Sequence, residues 1–445
     1  MTTVVIIGGG PGGYEAALVA AQLGAQVTLI DRDGLGGSAV LTDCVPSKTL
    51  VAAATLPHTD TDLATINARI NELAAAQSRD IAERIRRDGV RILVGTAHLV
   101  NASTACYQGH SAEEETIAAD VILIATGARP RVLGAATPDG ERILTWEQVY
   151  QLPEVPRRLI VVGSGVTGAE FASAYLSLGS DVVLVSSRDR VLPGEDPDAA
   201  AVIEEVFQQR GMTVLNRARA ESACRTANGV LVTLTDGREI EGTHALIAVG
   251  SLPNTDDLRL AEVGVGTNDG GFIEVDRVSR TSVRGVYAAG DCTGVNMLAS
   301  VAAMQGRIAM WHALGDTVHP LDLNTVSSTV FTDPEIATVG VSQVDVDSGR
   351  VRAESVMLPL STNPRAKMQG IEHGFVKVFC RLSSRIVVGG VVVSPHASEI
   401  IHAITLAVDA RLTVDQLAAA FTVYPSLSGS VAEAARRLHS ADAGG

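Results

Sequence analysis

The chain has 445 residues, 46% of them hydrophobic, which is enough for roughly three domains with ample apolar core. Its 35 basic and 50 acidic residues give a net charge of -15, which argues against nucleic acid and anionic membranes as partners. No apolar run approaches the ~20 residues of a membrane span, and the N-terminus has no basic region or cleavage site. Five scattered cysteines form neither a disulfide framework nor a metal-ligand cluster. We therefore expect a cytoplasmic protein without an integral membrane segment or a metal.

The first thirty residues alternate between strand and helix around a glycine-rich turn. Strands are predicted at Val4–Ile7 and Gln26–Ile30, with a helix at Tyr14–Leu23 between them. The glycines of the pattern G-x-G-x-x-G are Gly8, Gly10 and Gly13. Such glycines allow a tight turn and a close approach of the backbone to a pyrophosphate, whose charge lies at the helix N-terminus. Asp31 follows the last of them by 18 residues, where a carboxylate can bind ribose hydroxyls.

The same arrangement recurs in the second third of the chain. A strand at Leu159–Val162, a helix at Ala169–Leu178 and a strand at Asp181–Val185 are predicted. The glycines of this second turn are Gly163, Gly165 and Gly168. One such motif is moderate support for a nucleotide site, whereas two in one chain predict two dinucleotide sites.

The two copies differ at the position whose side chain would contact the ribose. Eighteen residues after Gly168 stands Ser186 instead of an acid, followed by Ser187, Arg188 and Arg190. An acid there would bind a ribose 2′-hydroxyl and repel a 2′-phosphate, whereas hydroxyls and arginines accept the phosphate. The pattern favours NADPH, with NADH also possible. The alternative is that both arginines only face solvent.

Three further segments close the nucleotide-binding units. Residues 125–127 and 248–250 read ATG and AVG and end short strands, which places Thr126, Gly127 and Gly250 at strand ends. Residues 281–291 read TSVRGVYAAGD and predict an apolar strand that ends at Gly290 and Asp291.

After about residue 325 the pattern changes to a separate α+β unit. Strands are predicted at Val351–Leu358, Phe375–Phe379 and Ile386–Val393. Ser430 and Glu433 have the spacing of a capping box before the last helix.

The order of these features resembles one enzyme family. Two nucleotide motifs, the ATG strand end, a segment 36–48 that reads GGSAVLTDCVPSK, GVYAAGD and a final α+β unit follow each other along the chain. This order is similar to that of the pyridine-nucleotide disulfide oxidoreductases, such as dihydrolipoamide dehydrogenase and glutathione reductase. Within the family, the chain most resembles the LpdA-type NAD(P)H quinone reductases.

The resemblance implies the architecture. It is α/β, with two Rossmann-like dinucleotide-binding domains and a C-terminal α+β dimerisation domain. The implied domains are residues 1–148 and 271–324 for FAD, 149–270 for NAD(P)H, and 325–445 for the dimer interface. The segment Val51–Ile66 is short for the family, so a loop is trimmed or missing there.

The resemblance also implies roles for individual residues. The first motif and Asp31 would bind the ADP half of FAD, Asp291 its ribityl chain, and the backbone of Ala299 the flavin ring. Lys48 and Glu170 match an ion pair beside flavin N5, where a lysine stabilises negative charge on the reduced ring. The implied cofactor-binding set is Gly8, Gly10, Gly13, Asp31, Lys48, Thr126, Gly127, Gly163, Gly165, Gly168, Ser186, Arg188, Gly250, Gly290, Asp291 and Ala299.

The chain departs from the family in its thiol chemistry. Only Cys44 remains of the usual cysteine pair, because Ala39 stands at the partner's position. A dithiol shuttle needs both sulfurs. Tyr424 occupies the place of the family's histidine base and Gly429 that of the glutamate that orients it. A phenol, with an ordinary pKa near ~10, does not take up a thiol proton at neutral pH as an imidazole does.

These losses predict that electrons enter FAD from NAD(P)H and leave it directly, with a quinone as the acceptor. The predicted catalytic residues are Lys48, Glu170, Tyr424 and Cys44. Tyr424 would offer a ring and a hydroxyl to the quinone from the partner subunit of a homodimer, or would only pack at the interface. Cys44 is either a thiolate beside the flavin or, as we prefer, a small buried residue without a catalytic role.

Four other functions stay open at this stage. A soluble pyridine-nucleotide transhydrogenase resembles the same family, with a broken cysteine pair and a tyrosine before the proline. A single-cysteine peroxidase or oxidase would use Cys44, and a redox-sensing flavoprotein would not turn over. Dihydrolipoamide dehydrogenase itself is disfavoured by the missing thiol elements.

Overall fold

The computed structural model describes residues 1–55, 62–109 and 114–439. Within those ranges, no helix has the length and apolar character needed to cross a membrane. Residues 56–61 belong to the segment Val51–Ile66, so part of the predicted loop change lies outside the described residues.

The N-terminal part contains nine strands and four helices among its described residues. In chain order they are β1 (Thr3–Ile7), α1 (Pro11–Gln22), β2 (Gln26–Asp31), α2 (Gly37–Leu41), α3 (Cys44–Thr55), α4 (Leu63–Arg87), β3 (Arg91–Val94), β4 (Thr96–Asn101), β5 (Thr104–Gln108), β6 (Glu114–Ala118), β7 (Val121–Ile124), β8 (Ala128–Pro130) and β9 (Ile143–Leu144). Helix α1 begins three residues earlier than predicted, because Pro11 at its first turn has a φ suited to a helix start.

The middle part repeats the strand–helix–strand arrangement and adds a small antiparallel sheet. Its elements are β10 (Arg158–Val162), α5 (Val166–Ser177), β11 (Asp181–Val185), α6 (Pro197–Gln209), β12 (Thr213–Leu215), β13 (Ala220–Arg225), β14 (Val230–Leu234), β15 (Glu239–Gly242), β16 (His244–Ile247), β17 (Ser251–Pro253) and α7 (Leu260–Val263).

The last part returns to the first sheet and then forms the α+β unit. Its elements are β18 (Val286–Ala288), α8 (Ala299–Ala313), β19 (Ser327–Val330), β20 (Glu335–Gly340), α9 (Gln343–Asp347), β21 (Ala353–Pro359), α10 (Pro364–Gln369), β22 (Phe375–Arg381), β23 (Val387–Ser394), α11 (Ala397–Asp409), α12 (Val414–Ala419) and α13 (Gly429–Leu438).

The first sheet is parallel, with strand order β18-β7-β1-β2-β3. Helices α1 and α8 pack against each other beside it. The chain therefore leaves this unit after β7 and returns through β18 and α8. Strand β18 is shorter than the segment 281–291 predicted, because a turn precedes it: Gly285 has φ +87° and Val286 N–H donates to the Val283 carbonyl at 3.1 Å.

The second sheet is also parallel, with strand order β12-β11-β10-β16-β9. Its edge strand β9 lies before the boundary predicted at residue 149, so this sheet takes in residues assigned to the preceding domain. The two residues of β9 are too short a segment for the hydrophobic pattern to assign to one sheet or the other.

The C-terminal sheet is antiparallel, with strand order β19-β20-β23-β22-β21, and α11 and α13 pack on it. The predicted capping box at Ser430 is wrong, since α13 already begins at Gly429. Ser430 is buried inside the helix, and its Oγ accepts a hydrogen bond from Asn363 Nδ2 at 2.7 Å. Two parallel dinucleotide-type sheets and an α+β unit confirm the predicted fold class.

A buried lysine connects the C-terminal sheet to the middle unit. Lys377, on β22, lies over the rings of Phe375 and Phe379, and its Nζ is 5.8 Å from each ring centroid. The same ammonium donates to Asp196 at 2.9 Å and to Asp198 at 2.6 Å, at the start of α6. The side chains of Lys377 and Asp196 are only 3% and 2% exposed, so each charge depends on the other.

We expect Lys377→Met to destabilise the protein by about 3–5 kcal/mol, the usual cost of leaving one partner of a buried ion pair uncompensated. The measurement is the urea midpoint of unfolding. Arg91→Ala is the matched control, because it breaks an exposed pair with Glu115 and should leave the midpoint unchanged. Adding Asp196→Asn to Lys377→Met should recover part of the loss. An unaltered midpoint in Lys377→Met would contradict this account.

Candidate functional site

A cleft of about 790 Å³ opens at the carboxyl ends of the first sheet. Open α/β sheets bind ligands at this edge, outside the ends of their parallel strands. Its walls come from the β1–α1 turn, the end of β2, helices α2 and α3 and the segment that follows β18. Of the residues predicted to hold a cofactor, those lining the cleft are Gly8, Gly10, Asp31, Thr126, Gly127, Gly290, Asp291 and Ala299.

The glycines of the first turn serve different purposes. Gly8 has φ +106°, and a Cβ there would lie 2.2 Å from the Ala125 carbonyl oxygen. A Cβ on Gly13 would lie 1.9 Å from the Gly8 carbonyl oxygen. The fold itself therefore requires these two glycines. At Gly10 the nearest atom to a Cβ is 3.9 Å away, so this glycine leaves open space on the cleft side of the turn.

Asp31 fixes the turn as well as facing the cleft. Its carboxylate accepts backbone N–H groups of Gly9 at 2.6 Å, Gly34 at 2.7 Å and Asp33 at 2.9 Å. Burial raises the pKa of the Asp31 carboxyl, although these three donors oppose the rise. The acid at the end of β2 thus holds the glycine turn and the following loop together before any nucleotide arrives.

Cys44 is the first residue of α3 and lines the cleft, as does Ala39 on α2. Burial, helped by the nearby Asp43 charge, raises the pKa of the Cys44 thiol to about 12. The thiolate is the reactive form of cysteine, so Cys44 is a neutral thiol at physiological pH. The structure therefore favours the interpretation of Cys44 as a retained small side chain.

Lys48 and Glu170 form the predicted ion pair. Lys48, one turn after Cys44 on α3, donates to Glu170 on α5 at 2.8 Å. The other oxygen of Glu170 accepts the Phe331 N–H at 2.8 Å, and the Lys48 ammonium lies 5.1 Å from the Phe331 ring centroid. The side chain of Glu170 is 3% exposed and that of Lys48 27%, so the ammonium is the accessible end of the pair.

The pair keeps the lysine charged. Burial alone would lower the pKa of Lys48, but Glu170, with Cys44 and Asp43, raises it above its usual value. Burial raises the pKa of Glu170, and Lys48 together with the Phe331 N–H counteracts that rise. The 2.8 Å charged hydrogen bond stabilises the ionised forms of both side chains, so the pKa of Lys48 is raised and its ammonium stays charged.

Two acids that line the cleft, Asp43 and Glu147, were missed by the sequence analysis. Burial raises the pKa values of Asp43, Glu147 and Asp291, that of Asp291 to about 6. Tyr150 lies near them, and its buried hydroxyl has no hydrogen-bond partner among residues 1–55, 62–109 and 114–439. Only Asp291 was singled out, through its motif. The adjacency of Asp43 to Cys44 was the one signal in the sequence that could have identified a second acid.

The second glycine turn reproduces the first. A Cβ on Gly163 would lie 2.1 Å from the Ala248 carbonyl oxygen, and one on Gly168 would lie 1.9 Å from the Gly163 carbonyl oxygen. Gly165 is exposed and has open space around its Cβ position. Gly250, with φ +104°, leads into β17. The turn thus presents an open surface at the start of α5.

The structure corrects the interpretation of Ser186. This residue is 0% exposed, and its hydroxyl lies 2.6 Å from that of Ser164 and accepts the Arg188 N–H at 3.2 Å. Its hydroxyl therefore stabilises the loop and does not face a ligand. Counting residues gives the position along the chain but not the direction of the side chain. Ser187, Arg188 and Asp189 are the exposed residues of the loop, and Arg190 is half-buried.

Tyr424 is not among the residues that line the cleft of its own chain. Its side chain is 81% exposed, and the neighbouring Phe421 and Val423 are exposed as well. Three large apolar side chains on one surface segment are typical of a protein–protein contact.

Comparisons with known proteins support the family resemblance that the motifs indicate. Residues 2–306 match the model of the pyridine nucleotide-disulphide oxidoreductase family, and residues 326–435 match the dimerisation domain of that family. An NAD(P)H dehydrogenase (quinone) of Mycobacterium tuberculosis is 54% identical, over 99% of this chain and 95% of that protein. Dihydrolipoyl dehydrogenase 2 of Haloarcula marismortui is 32% identical, over 98% and 96% of the two chains.

Solved structures give the same result. The crystal structure of LpdA from Mycobacterium tuberculosis superposes with a TM-score of 0.95 at 54% identity, covering 99% of this chain and 100% of that one. The HOCl-induced flavoprotein disulfide reductase RclA from Escherichia coli gives a TM-score of 0.90 at 26% identity, covering 98% and 99%. The chain belongs to the pyridine nucleotide-disulphide oxidoreductase family.

Proposed function

We propose that this protein is an FAD-dependent NAD(P)H dehydrogenase that passes electrons directly to quinones and does not reduce disulfides. The observation that carries the proposal is that a charged Lys48–Glu170 pair is retained one turn beyond Cys44, whereas Cys44, a protonated thiol, is the one cysteine among the described residues that line the cleft. The name of the 54% identical relative supports the same acceptor. The absence of an exchanging thiol at Ala39 leaves the disulfide route without its second sulfur.

The cleft fits the FAD that the family uses. The open space at Gly10 lets the backbone approach a pyrophosphate, and the start of α1 offers N–H groups to its charge. We propose that Asp31 binds the adenosine ribose, that Asp291 binds the ribityl chain, and that Ala299 presents its backbone to the ring. FAD, when bound, would accept a hydride from NAD(P)H and pass two electrons to the quinone.

Lys48 and Glu170 would act on the reacting edge of that cofactor. The Lys48 ammonium is the accessible end of the pair, and Glu170 holds it in one orientation. A fixed cation beside a ring that gains electrons stabilises the developing negative charge. Glu170 is itself held by the Phe331 N–H, so the lysine is oriented before substrate arrives.

For the nucleotide we propose a preference for NADPH, with NADH accepted. Arg188 is exposed on the loop after β11 and carries a guanidinium suited to a 2′-phosphate. Gly163, Gly165 and Gly168 would receive the pyrophosphate at the start of α5. Because the Ser186 hydroxyl is buried, the preference rests on Arg188.

We propose that the enzyme works as a cytoplasmic homodimer. The match of residues 326–435 to a dimerisation domain supports the assembly. The exposed Phe421, Val423 and Tyr424 supply an apolar surface that a second copy would cover. Tyr424 would then reach the partner's cleft and contact the quinone with its ring and hydroxyl.

We expect Gly10→Ala to fold normally but to retain little FAD, because its Cβ enters the space that the pyrophosphate needs. The measurement is flavin absorbance relative to protein absorbance in the purified enzyme. Gly194→Ala is the control, since that position is also open but lies outside the cleft. Full flavin content in Gly10→Ala would show that this turn does not bind the cofactor.

Steady-state oxidation of NADPH by the FAD-loaded enzyme, with a naphthoquinone or with lipoamide, tests the reaction itself. We expect turnover with the quinone and none with lipoamide, because the second sulfur and the base are missing. Robust lipoamide turnover would contradict the proposal. Reduction of an NAD⁺ analogue by NADPH in place of quinone reduction would indicate a transhydrogenase.

Cys44→Ser provides the matching variant for this assay. Because the thiol is protonated, the substitution should leave quinone turnover nearly unchanged. Peroxide-dependent turnover that Cys44→Ser abolishes would instead indicate a single-cysteine peroxidase.

We expect Arg188→Ala to raise the KM for NADPH by about tenfold, the effect of losing one charge-assisted hydrogen bond to a phosphate. The KM for NADH should not change, because NADH has no 2′-phosphate. Arg225→Ala, which removes another partly exposed arginine of the middle unit, is the control and should alter neither value. Equal effects on both nucleotides would contradict the assignment.

A further inference from the structure

The first and second parallel sheets place different side chains at the same structural position. Strand β1 pairs with β2 up to the residue before Asp31, and β10 pairs with β11 up to the residue before Ser186. Strands β1 and β10 each run directly into a glycine turn. Ser186 is therefore the structural counterpart of Asp31, and the middle unit has a hydroxyl where the first unit has a carboxylate.

Ser186 performs only one of the two tasks of Asp31. The Asp31 carboxylate holds its turn and loop through three backbone N–H groups, and it also lines the cleft, where we assign it to the ribose. The Ser186 hydroxyl holds the second turn in a similar way, since it contacts the Ser164 hydroxyl at 2.6 Å and accepts the Arg188 N–H at 3.2 Å. Because it is buried, it leaves the ribose of a second nucleotide without a carboxylate at this position.

Asp189 is the first acid after Ser186, and it is exposed in the loop that follows β11. This loop lies at the carboxyl edge of the second parallel sheet, where dinucleotide-binding units place the ribose beyond their second strand. A carboxylate there accepts a hydrogen bond from the ribose 2′-hydroxyl and repels a 2′-phosphate. Asp189 therefore offers, three residues further along the loop, the group that Ser186 lacks.

An arginine from the next strand end is paired with Asp189. Arg217 follows β12, and its Nε donates to the Asp189 carboxylate at 2.7 Å. Backbone hydrogen bonds join the two loops, because the Arg217 N–H donates to the Arg188 carbonyl at 2.8 Å. The Ala218 N–H donates to the Ser186 carbonyl at the same distance. The ion pair therefore lies beside Arg188, to which we assign the 2′-phosphate.

The Asp189–Arg217 pair is open to a ligand. Both side chains are 79% exposed, in contrast to the buried Lys377–Asp196 pair. An exposed ion pair contributes little to stability, so a bound nucleotide can separate it at low cost. A carboxylate and a phosphate are the two anions that a guanidinium binds best, and they compete for the same N–H groups.

We propose that Asp189 and Arg217 together select between NADH and NADPH. With NADH, the Asp189 carboxylate accepts the ribose 2′-hydroxyl while it remains paired with Arg217. With NADPH, the 2′-phosphate replaces that carboxylate on Arg217, Arg188 binds the phosphate as well, and Asp189 turns to water. The pair explains how one loop accepts both nucleotides. The inference rests on the proposed function, because it requires that the middle unit binds NAD(P)H.

The decisive measurement is the rate of flavin reduction by each nucleotide in the FAD-loaded enzyme, without oxygen or quinone. Asp189→Ala should lower the second-order rate constant for NADH about tenfold, the effect of losing one charge-assisted hydrogen bond. It should raise the constant for NADPH, because Arg217 is released and a charge that repels the phosphate is removed. Arg217→Ala should lower the constant for NADPH and leave that for NADH unchanged. No change, or equal changes with both nucleotides, would overturn the proposal.

Asp236→Ala is the matched control. Asp236 pairs with Arg238 at 2.7 Å in the turn between β14 and β15 of the same unit, and both side chains are about as exposed as the loop they lie in. This variant should alter neither rate constant. The urea midpoint of unfolding should stay the same in all three variants, because each breaks only an exposed pair. A shift in nucleotide preference in Asp236→Ala equal to that in Asp189→Ala would overturn the proposal.

Nucleotide binding tests the pair without electron transfer. Calorimetric titration of the FAD-loaded protein compares adenosine 2′,5′-bisphosphate, which has the 2′-phosphate, with ADP, which has a free 2′-hydroxyl. Asp189→Ala should shift the ratio of the two dissociation constants towards the bisphosphate, and Arg217→Ala should shift it towards ADP. A ratio that is the same in wild type and both variants would overturn the proposal.

The proposed function and this inference fail in different ways. If neither nucleotide reduces the flavin of the wild-type enzyme, or if a quinone does not reoxidise it, the proposed function is wrong. If the flavin is reduced and reoxidised, but Asp189→Ala has the wild-type ratio of rate constants for NADH and NADPH, only the role of the Asp189–Arg217 pair is wrong.

Discussion

The Lys48–Glu170 ion pair is the constraint on which the arrangement of this protein depends. Lys48 comes from the N-terminal unit, Glu170 from the middle unit, and the N–H that holds Glu170 from Phe331 at the start of the C-terminal unit. A carboxylate that is 3% exposed requires such partners, because an uncompensated buried charge is strongly destabilising. The same contact therefore joins the three units and leaves the Lys48 ammonium as its accessible end.

This coupling of fold and site accounts for the half of the family's reaction that we propose the chain retains. Residues that we assign to the FAD site are also residues that the fold needs: Gly8 and Gly13 prevent backbone collisions, and Glu170 joins the units. The residues at the positions of the family's thiol chemistry do not support the fold in this way. Tyr424 is exposed on the single chain, and Ala39 lies on the cleft wall. Side chains at such places can be replaced without loss of the core, so the exit route for electrons can change while the entry route stays.

The features predicted correctly from sequence were those set by local geometry. The glycine turns, the strands beside them and the acid of Asp31 follow from spacing alone, because the backbone allows few alternatives there. Family resemblance added the ion pair, whose members are 122 residues apart. The errors have a common cause. Ser186 turned inward and Ser430 lies inside a helix, and the direction of a side chain depends on packing that spacing does not reveal.

Two acids of the cleft, Asp43 and Glu147, were missed for the same reason, and they alter the view of the site. Asp43, Glu147 and Asp291 are carboxyl groups in one partly buried space, and Lys48 is the cation that acts on Asp43. Like charges in a medium of low polarity raise one another's pKa values, as Asp43 does for the other two acids. The cleft therefore holds protons at a pH where exposed carboxyls have lost them. Asp43, directly before Cys44, and Glu147 therefore belong to the electrostatics of the same cleft, which motif spacing alone did not reveal.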